Sequence, residues 1–122
     1  LLPFYVDHPV GLEANIDEAQ ISSDLAIPLG LIINEFATNS LKHAWSGSDA
    51  VQAVIVIEAR LRDGRLWIKI ADNGRGLPDV ESEAAQAGTG MSLINGLALQ
   101  IGATPSWTSS GGTVLTLDFS IE

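Results

Sequence analysis

The stretch Asn34-Glu35-Phe36-Ala37-Thr38-Asn39-Ser40-Leu41-Lys42-His43-Ala44, read with Asp72-Asn73-Gly74-Arg75-Gly76 further along, decides the fold. At about 3.6 residues per helical turn, Glu35, Asn39, Lys42 and His43 stand at i, i+4, i+7 and i+8 and share one helix face. Leu29, Ile33, Phe36, Ala37 and Ala44 fill the other. A polar stripe on an otherwise apolar helix has to meet water or a ligand. It carries one carboxylate able to take a proton, one amide oxygen suited to a hard cation and two groups able to hold positive charge. That set fits a magnesium triphosphate.

Working outward, Ser22, Ser23 and Asp24 offer helix N-caps, and Pro28 is expected in the first turn, where its missing donor costs little. The helix is expected from about Asp24 to Ala44, ended by Ser46-Gly47-Ser48. Upstream, Leu2 to Val6 and Leu12 to Ile16 read as short strands parted by a turn at His8-Pro9-Val10-Gly11. Downstream, Val51 to Arg62 alternates and is rich in valine and isoleucine, Asp63-Gly64 is a hairpin turn, and Arg65 to Ala71 returns as an antiparallel neighbour. From Asn73 to Thr89 periodicity is lost and a mobile loop is expected, with Glu81 to Ala87 compatible with a short helical turn. Helical spacing resumes from Gly90 to Ile101 through Met91, Ile94, Leu97 and Ala98 and stops near Gly102. Strands then follow at Thr104 to Thr108 and Thr113 to Ile121 around the Gly111-Gly112 turn.

Composition sets outer limits. A chain of 122 residues, 46% hydrophobic and 17% charged, is a globular domain rather than a disordered one. Without cysteine there is no disulfide and no thiolate metal site, which is consistent with the cytoplasm. A net charge of -9 with no basic stripe repels a phosphate backbone and argues against nucleic acid as partner. Pro28, Gly30, Asn34 and Glu35 interrupt the most apolar stretch, so no membrane contact is expected of this domain. The chain opens on Leu1 without a signal-peptide pattern, and it is expected to be a piece of a longer protein.

The order of helix, hairpin, Asp-x-Gly-x-Gly loop, second glycine pair, helix and final hairpin resembles the ATP-binding domain of the GHKL superfamily. That superfamily holds histidine kinases, gyrase-type topoisomerases, mismatch-repair ATPases and Hsp90-type chaperones. Within it the chain most resembles the catalytic, ATP-binding domain of sensor histidine kinases, from Ile21 onward. Asn34 to Ala44 is similar to the family's N box, Asp72 to Gly76 to its first glycine box, and Gly88-Thr89-Gly90-Met91 to its second. Three such motifs in order are far more specific than any one.

The resemblance implies roles, and each has a plainer counterpart. Asn39 is implied as the magnesium ligand, against a solvated helix asparagine. Glu35 is implied as a general base, against a solvated carboxylate, and Lys42 and His43 as contacts to the phosphates or the lid. Asp72 is implied as acceptor of the adenine amino group, against an Asx-turn aspartate beginning the Asn73-Gly74 turn. Gly74 and Gly76 are implied to let the backbone approach base and sugar, and Gly88 and Gly90 to open a helix whose free amides favour phosphate oxygens. Thr113 is implied beside Asp72 at adenine, against an ordinary strand threonine. His8 precedes Pro9 and is a poor phosphoacceptor for a helical bundle, Arg75 reads as a solvated loop arginine, and Trp45, Trp67 and Trp107 read as packing residues. Trp67 resembles the tryptophan of a Trp-x-Glu signature in one kinase subgroup, with Lys69 in place of the acid. The segment from Pro78 to Gly88 is a short lid without a phenylalanine-centred box, as in a short-lid kinase class.

The resemblance therefore implies a two-layer α/β (α+β) sandwich, a Bergerat-type fold, whose mixed and mostly antiparallel sheet carries helices on one face. It further implies a single ATP-binding catalytic domain over residues 1–122 that uses ATP and Mg2+. The implied partners are a histidine-bearing dimerisation domain of the same protein and, indirectly, a response regulator. Two alternatives stay open: an anti-sigma-type serine kinase of the same superfamily, and a degenerate scaffold domain that has lost the nucleotide. Taken alone, the chain is expected to lack its phosphoacceptor.

Overall fold

The structure, a computed structural model, describes residues 10–45, 52–76, 91–109 and 111–122. Its framework is a meander. Strand β2 (Val54–Arg62) turns at Asp63-Gly64 into β3 (Arg65–Asp72), with φ of 51° and 76° at the two turn residues. Positive φ at both positions is the type I′ geometry whose twist matches the flanking strands, which is why an Asp-Gly pair closes this hairpin. Strand β5 (Thr113–Ser120) lies antiparallel beside β3, and β4 (Ser106–Ser109) pairs with the outer side of β5. Strand β1 (Gly11–Ile16) adds in parallel to β2, giving the order β1-β2-β3-β5-β4. The mixed, mostly antiparallel sheet is the expected one, with strand ends shifted by one to three residues. The segments Leu2 to Val6, Ser46-Gly47-Ser48 and Glu81 to Ala87 lie outside the described residues.

Register turns this sheet into a core. Ala59, Ile68 and Leu117 form one cross-strand row, Ile57, Ile70 and Leu115 the next, and Leu61, Leu66 and Phe119 a third. Ile70, Leu115, Leu117 and Phe119 are fully excluded from solvent. Burying one such side chain stabilises the fold by about 1.5–3 kcal/mol. The opposite face is mixed: beside the apolar row Val56, Ala71 and Val114 it carries Glu58 ion-paired to Arg60 and Lys69, and Arg65 to Asp118. These pairs are part-exposed, and each contributes about 0–1 kcal/mol.

Helices α1 (Ser23–His43) and α2 (Met91–Gln100) cover the apolar face. Ser22 is the N-cap of α1 through its carbonyl, which accepts the Leu25 and Ala26 amides, while its side chain makes no capping bond. Pro28 lies in the second turn of α1 and not, as expected, in the first. It has no N–H to give the Asp24 carbonyl, and its ring is instead buried against the core. Helix α2 ends in a Schellman pair, Gly102 N–H to the Leu99 carbonyl and Ala103 N–H to that of Ala98.

The division of α1 into a polar stripe and an opposite apolar face does not hold. Leu25, Leu29, Ile32 and Phe36 follow one another at spacings of four, three and four, and continuing that series reaches Asn39 and His43. One inward seam is therefore apolar for its first four members and polar for its last two. Ile32, omitted from the expected apolar set, is fully buried on it, whereas Ile33 and Ala37 are only partly buried. Strand β3 shows the same change: Leu66, Ile68 and Ile70 point inward, and the next residue of that column is Asp72. Where both seams turn polar, the core opens.

Candidate functional site

The opening is a concave cleft at the polar end of the core, half open to solvent. Phe36, Asn39, Ser40, His43 and Ala44 of α1 and its C-cap form one wall, Asp72, Gly76 and Thr113 another, and Met91, Ile94 and Trp107 close it with apolar surface. The Trp107 ring stacks on Phe36 at 6.2 Å between centroids, and its indole N–H donates to the side-chain Oδ1 of Asn95 at 2.8 Å. Both polar and π surfaces of that tryptophan are thereby fixed in place.

Asp72 is the buried charge of the cleft, 7% exposed. Its Oδ1 accepts the Gly74 amide at 3.0 Å and the Thr113 amide at 3.1 Å, and its Oδ2 accepts the Ser40 hydroxyl at 2.8 Å. The Gly74 bond is the Asx-turn anticipated from the Asp-Asn-Gly run. Turn residue and cleft residue are thus the same side chain, and the two readings do not compete.

Asn73 holds this wall to the rest of the fold. Its Oδ1 accepts the Trp45 indole N–H at 3.0 Å and the Val54 amide at 2.9 Å, and its Nδ2 donates to the Gln52 carbonyl at 2.6 Å. The Arg75 amide donates to the Ala44 carbonyl at 2.9 Å. The loop after β3 is in this way clasped to the end of α1. Gly74 packs so closely there that a Cβ would collide with the Ala44 backbone, and at Gly112, with φ of 134°, a Cβ would collide with the Asp72 carbonyl. Close approach demands glycine at both positions, and at Gly112 the backbone conformation demands it as well.

Among the expected site residues, Asn39, His43, Asp72, Gly76 and Thr113 line the cleft together. Gly74 contributes through its amide rather than by lining. Glu35, half-buried, and Lys42, exposed, are absent from the lining. They fall on the outer edge of the helical stripe, whereas Asn39 and His43 fall on the edge next to Phe36. Gly88 and Gly90, with the expected lid, lie outside the described residues. The cleft also takes in Ser40, Met91, Ile94 and Trp107, which the sequence places in motifs, helix spacing or packing without a site role. Met91 ends the second glycine pair's motif, and Ser40 is a hydroxyl one turn after Phe36 on the inward side of α1.

Residues 24–122 match the family model of histidine kinase-, DNA gyrase B-, and HSP90-like ATPases. The chain belongs to this family, and ATP is the nucleotide that membership implies. It is 26% identical to blue-light-activated histidine kinase 2 of Erythrobacter litoralis, an alignment that covers 97% of this chain and 35% of that protein. Among solved structures it resembles the Erythrobacter litoralis EL346 blue-light activated histidine kinase, with a TM-score of 0.80, 24% identity and coverage of 98% of this chain and 37% of that one. It also resembles the Acinetobacter baumannii histidine kinase AdeS, with a TM-score of 0.73, 15% identity and coverage of 93% and 55%. These likenesses establish the fold. The chain spans only about a third of the Erythrobacter proteins it matches.

Proposed function

We propose that this chain is the ATP-binding catalytic domain of a two-component sensor histidine kinase, acting in the cytoplasm where ATP is available. In this reading it presents the γ-phosphoryl of ATP to a histidine on a separate dimerisation domain of the same protein, from which a response regulator is served. The observation that carries the reading is the convergence of Asn39 and Asp72 on one cleft, from a helix and a strand far apart in sequence.

Adenine enters between the apolar wall and Asp72. A carboxylate offers about four acceptor sites, and three are filled by Gly74, Thr113 and Ser40. One is left on Oδ2 for an exocyclic amine. A guanine carbonyl would face it lone pair to lone pair. The phosphates then run toward Asn39 and His43 at the polar end of the α1 seam.

No cluster of three or more His, Asp or Glu forms a metal cage among the described residues. A single amide oxygen at Asn39 nevertheless fits Mg2+, which keeps several waters and is commonly held by one or two protein groups plus phosphate. The ion would supply charge neutralisation of the phosphates. Lys42 and Glu35 stand on α1 outside the cleft lining, and in this reading the lysine brings its point charge to the phosphates and the glutamate takes the proton of an incoming nucleophile only in the nucleotide-bound state. Positioning and electrostatics carry most of such a transfer.

The test is to incubate the full-length protein carrying this chain with magnesium ATP labelled at the γ position. Acid-labile, alkali-stable label on the protein is the expected result. Acid-stable label on a serine of a partner protein would instead select the anti-sigma-type kinase, and absence of ATP binding would select the degenerate scaffold.

A further inference from the structure

Ser40 is 4% exposed, in a stretch of α1 where Leu41 and Ala44 are each 6% exposed. A buried hydroxyl must place its hydrogen. A helical serine usually has its own i−4 carbonyl within reach, yet Ser40 Oγ donates to Asp72 Oδ2 at 2.8 Å, across to another element. The two amides on Oδ1 fix only one of the two carboxylate oxygens. About that oxygen the group can still swing, carrying Oδ2 and its open lone pair with it. A third contact, on Oδ2 itself, removes the swing.

We propose that Ser40 is the positioning residue that makes the cleft select 6-aminopurine nucleotides. By holding Oδ2 it aims the one open acceptor site of Asp72 at the exocyclic amine. With its hydrogen committed, the Ser40 hydroxyl can offer only lone pairs, so this corner presents no donor to a 6-oxo purine. Ser40 and Asp72 both line the cleft, so the selecting pair stands where a base would sit. The inference rests on the reading of this cleft as the ATP site, and it concerns the amine-recognising pair alone.

The test compares binding of ATP and of purine riboside triphosphate, which lacks the 6-amino group, to the full-length protein and its Ser40 variants by calorimetry. The parent is expected to prefer ATP by about tenfold or more. Ser40→Ala should lose most of that preference by weakening ATP about tenfold while leaving purine riboside triphosphate within about twofold. Ser40→Thr, which keeps the hydroxyl, should restore the preference, and Ser40→Cys, a weak donor of similar size, should give an intermediate ratio. The ratio is read within each variant, so a general loss of stability does not imitate it. Equal weakening of both nucleotides in Ser40→Ala, or an undiminished ATP preference, would overturn the inference and leave the nucleotide site standing. A parent that binds neither nucleotide would overturn both.

Discussion

Asp72 has two oxygens with different duties: Oδ1 is saturated by two backbone amides, and Oδ2 takes one hydroxyl with room for one more donor. Asp72→Asn keeps the shape and places an N–H₂ where the ligand's own amine must approach, a donor against a donor. The expected cost in magnesium-ATP binding is about 2 kcal/mol or more, read by calorimetry. Equal affinities in parent and variant would remove the adenine assignment. At Asn39 the lost group is an oxygen suited to a hard cation. Asn39→Ala should weaken the magnesium-dependent part of nucleotide binding and leave metal-free ADP binding nearly unchanged. A titration of affinity against magnesium checks this, and superimposable curves for both proteins would count against the metal role. Asp72 was legible at this scale because its Asp-x-Gly-x-Gly context is distinctive. Ser40 was not, because nothing in a helix sequence says which distant acceptor a hydroxyl will find.

Elements meet at the cleft through few contacts, and Asn73 supplies three of them, to Trp45, Val54 and Gln52. Trp45 as a residue is 7% exposed, so deleting its acceptor leaves the indole donor without its partner at a largely buried position. Asn73→Ala should destabilise the fold by about 2 kcal/mol, seen as a lower urea midpoint with an unchanged slope. A midpoint within error of the parent would mean that water replaces the clasp. The hairpin β2–β3 was readable from its alternation and its Asp-Gly turn, since both are local properties. The parallel addition of β1 to β2 was not, because strand direction is set by a connection that passes through the whole of α1. The composition of α1's inward face is likewise hidden from local spacing: that spacing separates polar from apolar residues by side, whereas the helix carries one seam from Leu25 to His43 that changes character along its length.

Across the whole molecule, site and core are consecutive parts of the same inward surface. The rows ending at Phe119 are closed over by α1 and α2, and the cleft begins where the same strands and helices carry Asp72, Asn39 and Ser40. Phe119 is fully buried at the end of the core remote from Asp72, separated from it by the rows of Leu117 and Leu115. Phe119→Ala should therefore cost about 3–5 kcal/mol of stability. Below the shifted melting range it should leave nucleotide affinity within about twofold, since distant, independent sites combine nearly additively. Denaturant titration and calorimetry together check this, and a large affinity loss at full folding would show core and cleft to be coupled. Among the described residues no helix is long and apolar enough to cross a membrane.

The sequence by itself determined the elements, because helical and strand periodicities, the Asp-Gly turn and the glycine-rich loop are properties of neighbouring residues. Its ordered motifs also pointed to the ATPase family to which the chain belongs. Tertiary structure alone decided which polar residues share a cavity. Asn39 and His43 reached it and Glu35 and Lys42 did not, because the edge of a helical stripe that faces inward depends on how α1 rolls against the sheet and α2. The same packing brought an unremarked serine to the buried aspartate, a meeting between residues distant along the chain that no local pattern encodes.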